Sequence, residues 1–187
     1  YLATVANAQL AMVARSDAPF DDIAGLIEHS KSKGGALVAF DAKPQELVMK
    51  IIDGQSGAGF KLVSTESGAE MIQNLLGSHV DAAFNGGPHI QYLESGDLKM
   101  LASVSASRFN YSPDTKTLIE QGYQIYVDPW WYIAAPAGLP SDAKETLAKA
   151  FNSAINSENV SRVVQNVLKL QPNNLGPEGS KEMMVGG

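Results

Sequence analysis

The chain has 187 residues, a formal net charge of −6 from 14 basic and 20 acidic side chains, and no cysteine. Its length suffices for a substantial core in one or two domains, and no apolar run approaches the roughly 18 residues of a membrane-spanning helix. The acidic balance disfavours binding to nucleic-acid phosphates, and the missing thiols exclude disulfides, thiolate catalysis, iron–sulfur clusters and cysteine zinc sites.

Strand-length apolar runs alternate with helical periodicity up to about residue 121, which predicts α/β layers around a mostly parallel sheet. Strands are predicted at 11–15, 36–40, 60–64, 82–84 and 99–104. Helices are predicted to begin at Asp21–Asp22, at Pro44 and at Gly68, with shorter ones at 89–94 and 114–121. The second helix is expected to be broken by Gly54, Gly57 and Gly59 and to bury Leu47, Val48, Ile51 and Ile52. The third should bury Met71, Ile72, Leu75 and Leu76.

The pattern changes after Gly122, where residues 123–135 are aromatic and typical of a strand, and Pro136, Gly138 and Pro140 form a stiff bend. An amphipathic helix capped by Ser141 or Asp142 should follow, with a second one behind it. Their predicted buried faces consist of Leu147, Ala150, Phe151, Ala154 and Ile155, and of Val160, Val163, Val164, Val167 and Leu168. Beyond Leu170 we expect a poorly ordered tail unless it docks.

Familiar catalytic and metal motifs are missing from the sequence. The three histidines, His29, His79 and His89, have no metal-ligand spacing. The stretch Gly54-Gln55-Ser56-Gly57-Ala58-Gly59 fits neither G-x-S-x-G nor G-x-G-x-x-G, and it precedes a strand instead of following one. We therefore interpret it as a helix-to-strand loop and predict neither a metal nor a cofactor.

Several stretches together carry a resemblance to a known family. They are VSTESGAEMIQNLLGSHVDAA (63–83), GGPH (86–89), ESGDLK (94–99) with Ala102, Arg108, DTKTL (114–118) with Glu120 and Gly122–Tyr123, and WYIAAPAGLP (131–140). In this order and spacing the chain resembles the extracytoplasmic solute receptors of tripartite tricarboxylate transporters, the TctC or Bug family.

The resemblance implies a venus-flytrap fold of periplasmic binding protein type II, with a ligand between two lobes and two strands crossing the hinge. The chain opens at Tyr1 without an initiator methionine or signal segment, so we expect the beginning of the gene product to be absent. Because the chain begins near the first of these crossings, the resemblance implies that about 100 residues of the first lobe, roughly one domain, are missing. Residues 1–124 would form the second lobe, and residues 125–187 the return strand and helices that belong to the first. Helices deprived of that cover are expected to be displaced, disordered or buried by self-association.

Three turns are candidate ligand-binding segments, because ligands of open α/β sheets bind beyond the carboxyl ends of the strands. They are Asp41-Ala42-Lys43, Thr65-Glu66-Ser67-Gly68 and Asn85-Gly86-Gly87, to which we add His89 and Trp130. The matching turns of the family hold a carboxylate through backbone amides and small polar side chains.

Local structural roles compete with ligand binding at each of these positions. Asp41, Thr65 and Ser67 can cap helices, Lys43 can be a solvated charge, and Asn85-Gly86 can supply a positive-φ turn. His89 can be a surface or cap residue, and Trp130 can pack at the hinge.

We expect a periplasmic receptor, without enzymatic activity, that captures a small organic acid or related metabolite for membrane transporter subunits. Asp41 and Glu66 stand where the family typically has a glycine- and serine-rich loop and Tyr-Lys-Gly-Gly. A monoanion, a zwitterion or a ligand with hydrogen-bond donors is therefore favoured over citrate. The alternatives are a small α/β enzyme that uses the Asp41 and Glu66 carboxylates, and a sensor or scaffold lobe that recruits a protein partner.

Overall fold

The structure, a computed structural model, describes residues 1–185 and divides into two compact units. Residues 9–128 form the larger, here called the sheet unit, and residues 1–8 with 129–185 form the terminal unit. Within the described range, no helix has both the length and the apolar content needed to cross a bilayer.

The elements follow the predicted alternation closely. In chain order the first are β1 (Ala3–Asn7), β2 (Ala11–Arg15), α1 (Ile23–Lys33), β3 (Leu37–Phe40), α2 (Lys43–Ser56), β4 (Lys61–Ser64), α3 (Gly68–Leu76), β5 (Ala82–Asn85), α4 (Ile90–Ser95) and β6 (Leu98–Ser103). The later ones are β7 (Trp130–Ile133), α5 (Ser141–Ile155), α6 (Glu158–Arg162), a π-helical turn at Val163–Val167, and α7 (Gly176–Val185).

The sheet unit is built on a five-stranded mixed sheet in the order β4-β3-β5-β2-β6. Strand β3 runs parallel to β4 and β5, whereas β2 runs antiparallel to both β5 and β6. The predicted parallel arrangement therefore holds for β3, β4, β5 and β6, and β2 alone opposes them. Because those four strands share a direction, their carboxyl ends lie at one edge, beside the first residue of β2.

The apolar faces of α1, α2 and α3 contribute Leu26, Val48 and Leu75 to a core shared with the strands. Two leucines predicted to face inward do not. Leu47 and Leu76 are exposed, since the inner face of α2 carries Val48, Met49 and Ile52 and that of α3 carries Met71, Ile72 and Leu75. Of the glycines predicted to break α2, Gly54 lies within the helix, which continues to Ser56 and ends at Gly57, whose φ is 63°.

The predicted helix at 114–121 is absent, and the segment is a series of turns. Its backbone is engaged by β6 instead: Ser103 N–H donates to the Lys116 carbonyl, and Leu118 N–H donates to the Ser103 carbonyl. Thr117 and Glu120 make reciprocal side-chain bonds to each other's N–H, as at the start of a helix. Gly122, with a φ of 98°, ends the segment.

The terminal unit is organised around an antiparallel pair of β1 with β7. Its tail is docked, because Thr4 Oγ1 donates to the Asn173 carbonyl and accepts from Leu175 N–H, both at 2.8 Å. The helix α7 follows this anchor. The predicted side-chain cap of α5 is wrong, since Pro140 occupies the cap position and no side chain accepts a hydrogen bond there.

Most apolar positions predicted to be buried on the two helices after Pro140, which correspond to α5, α6 and the π-helical turn, are not buried. Only Ile155 and Val164 are buried, whereas Leu147, Ala150, Ala154, Val163 and Val167 are exposed. The terminal unit buries Leu2, Ala3, Ala8 and Ile155, together with a small cluster of Ala6, Val164 and Leu170.

Candidate functional site

The three predicted turns lie at one edge of the sheet unit. Residues 41–43 follow β3, residues 65–68 follow β4 and residues 85–87 end and follow β5. Because β4, β3 and β5 are neighbours and parallel, these segments are adjacent, and together we call them the turn edge. Asp41, Lys43, Glu66 and Ser67 are exposed there, Ala42, Gly68 and Gly86 are half-buried, and Thr65, Asn85 and Gly87 are buried.

The first turn is fixed from within α2. Gln45, in the first turn of that helix, accepts a hydrogen bond from Asp41 N–H at its Oε1, at 2.9 Å. Lys43 pairs with Glu46 at 2.7 Å, and Lys50 pairs with the same carboxylate at 2.6 Å. Hydrogen bonds from these two lysines lower the pKa of Glu46 to about 2. Glu46 is thus shared by two lysines, and the three side chains keep a net charge of +1 beside the N-terminus of α2, which adds to the positive potential at this turn.

The second turn is fixed in the same way, by a side chain of α3 that accepts a hydrogen bond from the backbone four residues before it. Ser67 is the N-cap and accepts from Glu70 N–H at 3.2 Å, while Glu70 reaches back to accept from Glu66 N–H at 2.7 Å. The first N–H groups of a helix have no acceptor within it. Among the described residues, those of Gly68 and Ala69 remain available to a ligand.

Hydrogen bonds join the turns to one another. Thr65 donates from both its N–H and its hydroxyl to the Phe40 carbonyl, at 2.8 and 3.0 Å, which ties the second turn to the end of β3. Asn85 Nδ2 donates to the Gly68 carbonyl at 2.9 Å, which ties the second turn to the third. A Cβ on Gly68 would stand 3.2 Å from Asn85 Nδ2, so glycine permits this approach.

The third turn rests on a buried polar network. Asn85 Oδ1 accepts from His89 N–H at 3.0 Å and lies 3.2 Å from His89 Nδ1, and His89 Nε2 lies 3.0 Å from the Tyr111 hydroxyl. Burial lowers the pKa of His89 to about 4, and burial raises the pKa of Tyr111 well above its usual range. His89 is therefore neutral at pH 7. The side chains of Asn85 and His89, predicted to bind ligand, are fully buried and bonded within the protein.

Trp130 belongs to the terminal unit, where it begins β7 opposite Asn7 and is half-buried. The structure therefore brings eleven of the twelve predicted site residues into the sheet unit, ten of them at the turn edge with His89 beneath them.

Three residues that organise the turn edge were not predicted from the sequence. Gln45 and Glu70 both carry a signal, because each stands four residues after the N–H it accepts, and Ser67-x-x-Glu70 has capping-box spacing. Tyr111 carries none, since it lies 22 residues from His89. In residues 1–185, no three His, Asp or Glu side chains converge to hold a metal ion.

The turn edge combines free amides at a helix N-terminus with two exposed carboxylates, those of Asp41 and Glu66. Amides at such a terminus suit an anionic group, whereas the carboxylates suit a cationic or hydrogen-donating one. The edge is therefore equipped for a small ligand that carries both kinds of group.

Residues 1–175 match the family model described as tripartite tricarboxylate transporter family receptor. The chain belongs to the TctC family. The predicted family is thus confirmed over nearly the whole sequence.

Protein BugT of Bordetella pertussis is 26% identical over 162 residues, which are 83% of this chain and 49% of that protein. The solved structure of the periplasmic binding protein BugD has a TM-score of 0.83 at 23% identity, and covers 97% of this chain and 63% of its own. MatC from Rhodopseudomonas palustris, solved with bound malate, has a TM-score of 0.79 at 19% identity, and covers 96% of this chain and 61% of its own. These likenesses establish the α/β fold of periplasmic binding proteins. The chain spans about half the length of the curated relative.

Proposed function

We propose that this TctC-family chain is part of an extracytoplasmic receptor that binds a small organic acid and has no catalytic activity. The observation that carries the proposal is the turn edge, where three neighbouring parallel strands end and α3 presents the free N–H groups of Gly68 and Ala69. This is the position at which open α/β sheets bind ligands. Family membership supports the receptor class, and the malate in MatC is an example of a carboxylate ligand in a protein of this fold.

We propose different roles for the ligand residues, and the contacts within the turn edge support this division. Asp41, Ala42, Lys43, Glu66, Ser67, Gly68, Gly86 and Gly87 would supply backbone amides or exposed side chains to the ligand. Thr65, Asn85 and His89 would shape the site from below, because their side chains are buried and bonded to other protein groups. Trp130 stays a proposed ligand-binding residue.

The exposed charges favour a ligand with both an anionic group and hydrogen-bond donors. Lys43 is already paired with Glu46, while Asp41 and Glu66 are exposed without an ion pair among the described residues. A second or third carboxylate on the ligand would face these like charges. The proposed ligand is therefore a monoanion, a zwitterion or a hydroxylated acid, delivered in the periplasm to membrane transporter subunits.

The enzyme alternative assigns catalysis to the Asp41 and Glu66 carboxylates. Catalytic acids and bases are commonly placed where burial or a charged neighbour tunes them, whereas both of these side chains are exposed. The receptor is favoured for this reason. The division into a second lobe at 1–124 and, at 125–187, a return hinge strand with C-terminal helices that belong to the first lobe also stays a proposal.

Native mass spectrometry of the full-length protein as purified tests the receptor function directly. We expect a retained small acid in the native spectrum. A nuclear magnetic resonance titration with that acid should shift the amides of Gly68, Ala69 and Gly86 more than those of α1. Chemical conversion of the acid during incubation would support the enzyme, and recovery of a bound protein with no small molecule would support the scaffold. Either result contradicts the receptor.

A further inference from the structure

The network beneath the turn edge runs in one direction, and this direction follows from its geometry. Asn85 Nδ2 donates to the Gly68 carbonyl at 2.9 Å, which orients the amide so that Oδ1 faces His89. Because Oδ1 only accepts, His89 Nδ1 must donate to it, and the buried, neutral ring carries its one proton there. His89 Nε2 is then a lone pair, and the Tyr111 hydroxyl donates to it at 3.0 Å.

Because Asn85 and His89 are buried, their polar groups depend on their hydrogen-bond partners within the protein. Asn85 and His89 are both 0% exposed, so water does not substitute for a lost partner. The Tyr111 ring is held by a second contact, since its centroid lies 5.4 Å from that of Phe109, which is buried in the core. A loop outside the turn edge therefore fixes the hydrogen-bond donor at the start of the network.

The far end of the network is at α3. The carbonyl that Asn85 binds belongs to Gly68, whose N–H is one of the free amides proposed to meet the ligand. Gly68 also packs against the Asn85 amide closely enough that a Cβ would crowd it at 3.2 Å. A displacement of Asn85 therefore changes where the first turn of α3 sits.

We propose that Tyr111 and His89 are positioning residues, which hold Asn85 and thereby fix the direction of the Gly68 and Ala69 amides toward the ligand. Neither residue contacts the ligand in this account. The proposal rests on the receptor function proposed above, but its geometric part is testable without a ligand.

The variant Tyr111→Phe removes only the hydroxyl, and Tyr92→Phe is the matched control. Tyr92 is also half-buried in the sheet unit, and among residues 1–185 its hydroxyl makes no hydrogen bond. In Tyr111→Phe we expect hydrogen exchange to accelerate about three- to tenfold, as expected for one lost hydrogen bond, at the bonded amides of His89, Glu70 and Met71. Exchange in α1 should stay unchanged, as should all rates in Tyr92→Phe.

Imidazole ¹⁵N spectra of the same proteins provide a signature that a general loss of stability does not produce. In Tyr111→Phe the His89 Nε2 resonance should move toward that of a free lone pair, while Nδ1 remains protonated. An unchanged His89 Nε2 resonance together with unchanged exchange at Met71 would overturn the positioning role. Acceleration spread evenly over the sheet unit would overturn it too, since it indicates a merely structural hydroxyl.

A calorimetric titration of the full-length protein with malate, or with the acid retained on purification, completes the test. Tyr111→Phe should weaken binding at least threefold, and Tyr92→Phe should leave it unchanged. If the wild-type protein binds neither probe, the ligand class of the proposed function fails, while the exchange and ¹⁵N measurements still decide the positioning role. Wild-type affinity in Tyr111→Phe contradicts it.

Discussion

A single buried histidine links the stability of the sheet unit to pH. Burial lowers the pKa of His89 from 6.5 to about 4, so the unfolded chain binds a proton there more readily than the folded one. The stabilising effect of neutral His89 is complete above the unfolded value of 6.5 and is lost as the pH falls toward 4. Three carboxylates have lowered pKa values, and their contribution to stability is lost at lower pH than that of His89; they are Glu46, Glu120 and Asp81.

We expect the free energy of unfolding to fall by about 2 kcal/mol between pH 7 and pH 5 because of His89 alone. In His89→Asn most of this loss should disappear, although the variant is less stable at pH 7. The control His79→Asn replaces an exposed histidine and should keep the wild-type pH dependence. Urea unfolding at the two pH values measures the difference, and an equal loss in His89→Asn would contradict the assignment.

The sequence predicts which residues form the turn edge, but it does not predict which of their side chains are exposed and which are buried and hydrogen-bonded within the protein. Asp41 and Glu66 were predictable as exposed carboxylates, because both follow a short apolar strand and precede a helix. The burial of Asn85 and His89 was not predictable from the sequence. It accompanies a hydrogen bond between His89 and Tyr111, which lies 22 residues away and is brought there by the fold.

At the scale of elements, the start of α3 is held by one hydroxyl. Ser67 Oγ accepts the Glu70 N–H, and Glu70 in turn accepts the Glu66 N–H. Ser67→Ala should lower the free energy of unfolding by about 1 kcal/mol, the usual cost of removing an N-cap. Ser107→Ala is the control, because Ser107 is also exposed and its hydroxyl makes no hydrogen bond within residues 1–185. Denaturant unfolding with equal midpoints for both variants would show that this cap does not stabilise the helix.

Element positions were predictable where local signals coincide with tertiary contacts. Helix α1 ends at Gly34–Gly35 and α2 ends at Gly57, all with positive φ values. Glycine at these positions is a sequence signal for the end of a helix. The direction of β2 was not predictable, because it depends on its pairing with β5 and β6. The helix predicted at 114–121 is absent for a related reason. Thr117 and Glu120 form a local capping pair, but backbone groups of the segment bond to Ser103 of β6 and not to one another as in a helix.

At the scale of the whole molecule, the terminal unit exposes apolar side chains that a stable monomer normally covers. Val163 and Val167 are 49% and 63% exposed in the π-helical turn. We expect the 187-residue chain to self-associate at high concentration through this surface, as the uncovered helices predicted from the sequence imply.

Sedimentation velocity of the double variant Val163→Glu/Val167→Glu tests this expectation. It should remain monomeric at concentrations where the wild-type chain associates. The control Gln165→Glu/Asn166→Asp adds two negative charges to the same turn without removing apolar surface, and it should still associate. A wild-type chain that stays a compact monomer at high concentration, with α5 and α6 protected from hydrogen exchange, refutes the prediction.

The central claim is that a small organic acid binds at the turn edge, with Glu66 facing it. Calorimetry of the full-length protein against mono-, di- and tricarboxylates tests this claim, using wild type, Glu66→Lys and the control Glu28→Lys, an exposed charge reversal on α1. Wild type should prefer monoanions or zwitterions to citrate, since each like-charge contact costs on the order of 1 kcal/mol. Glu66→Lys should bind dicarboxylates more tightly and the native ligand more weakly, while Glu28→Lys should match wild type. Tight citrate binding by wild type, unchanged in Glu66→Lys, would contradict the account.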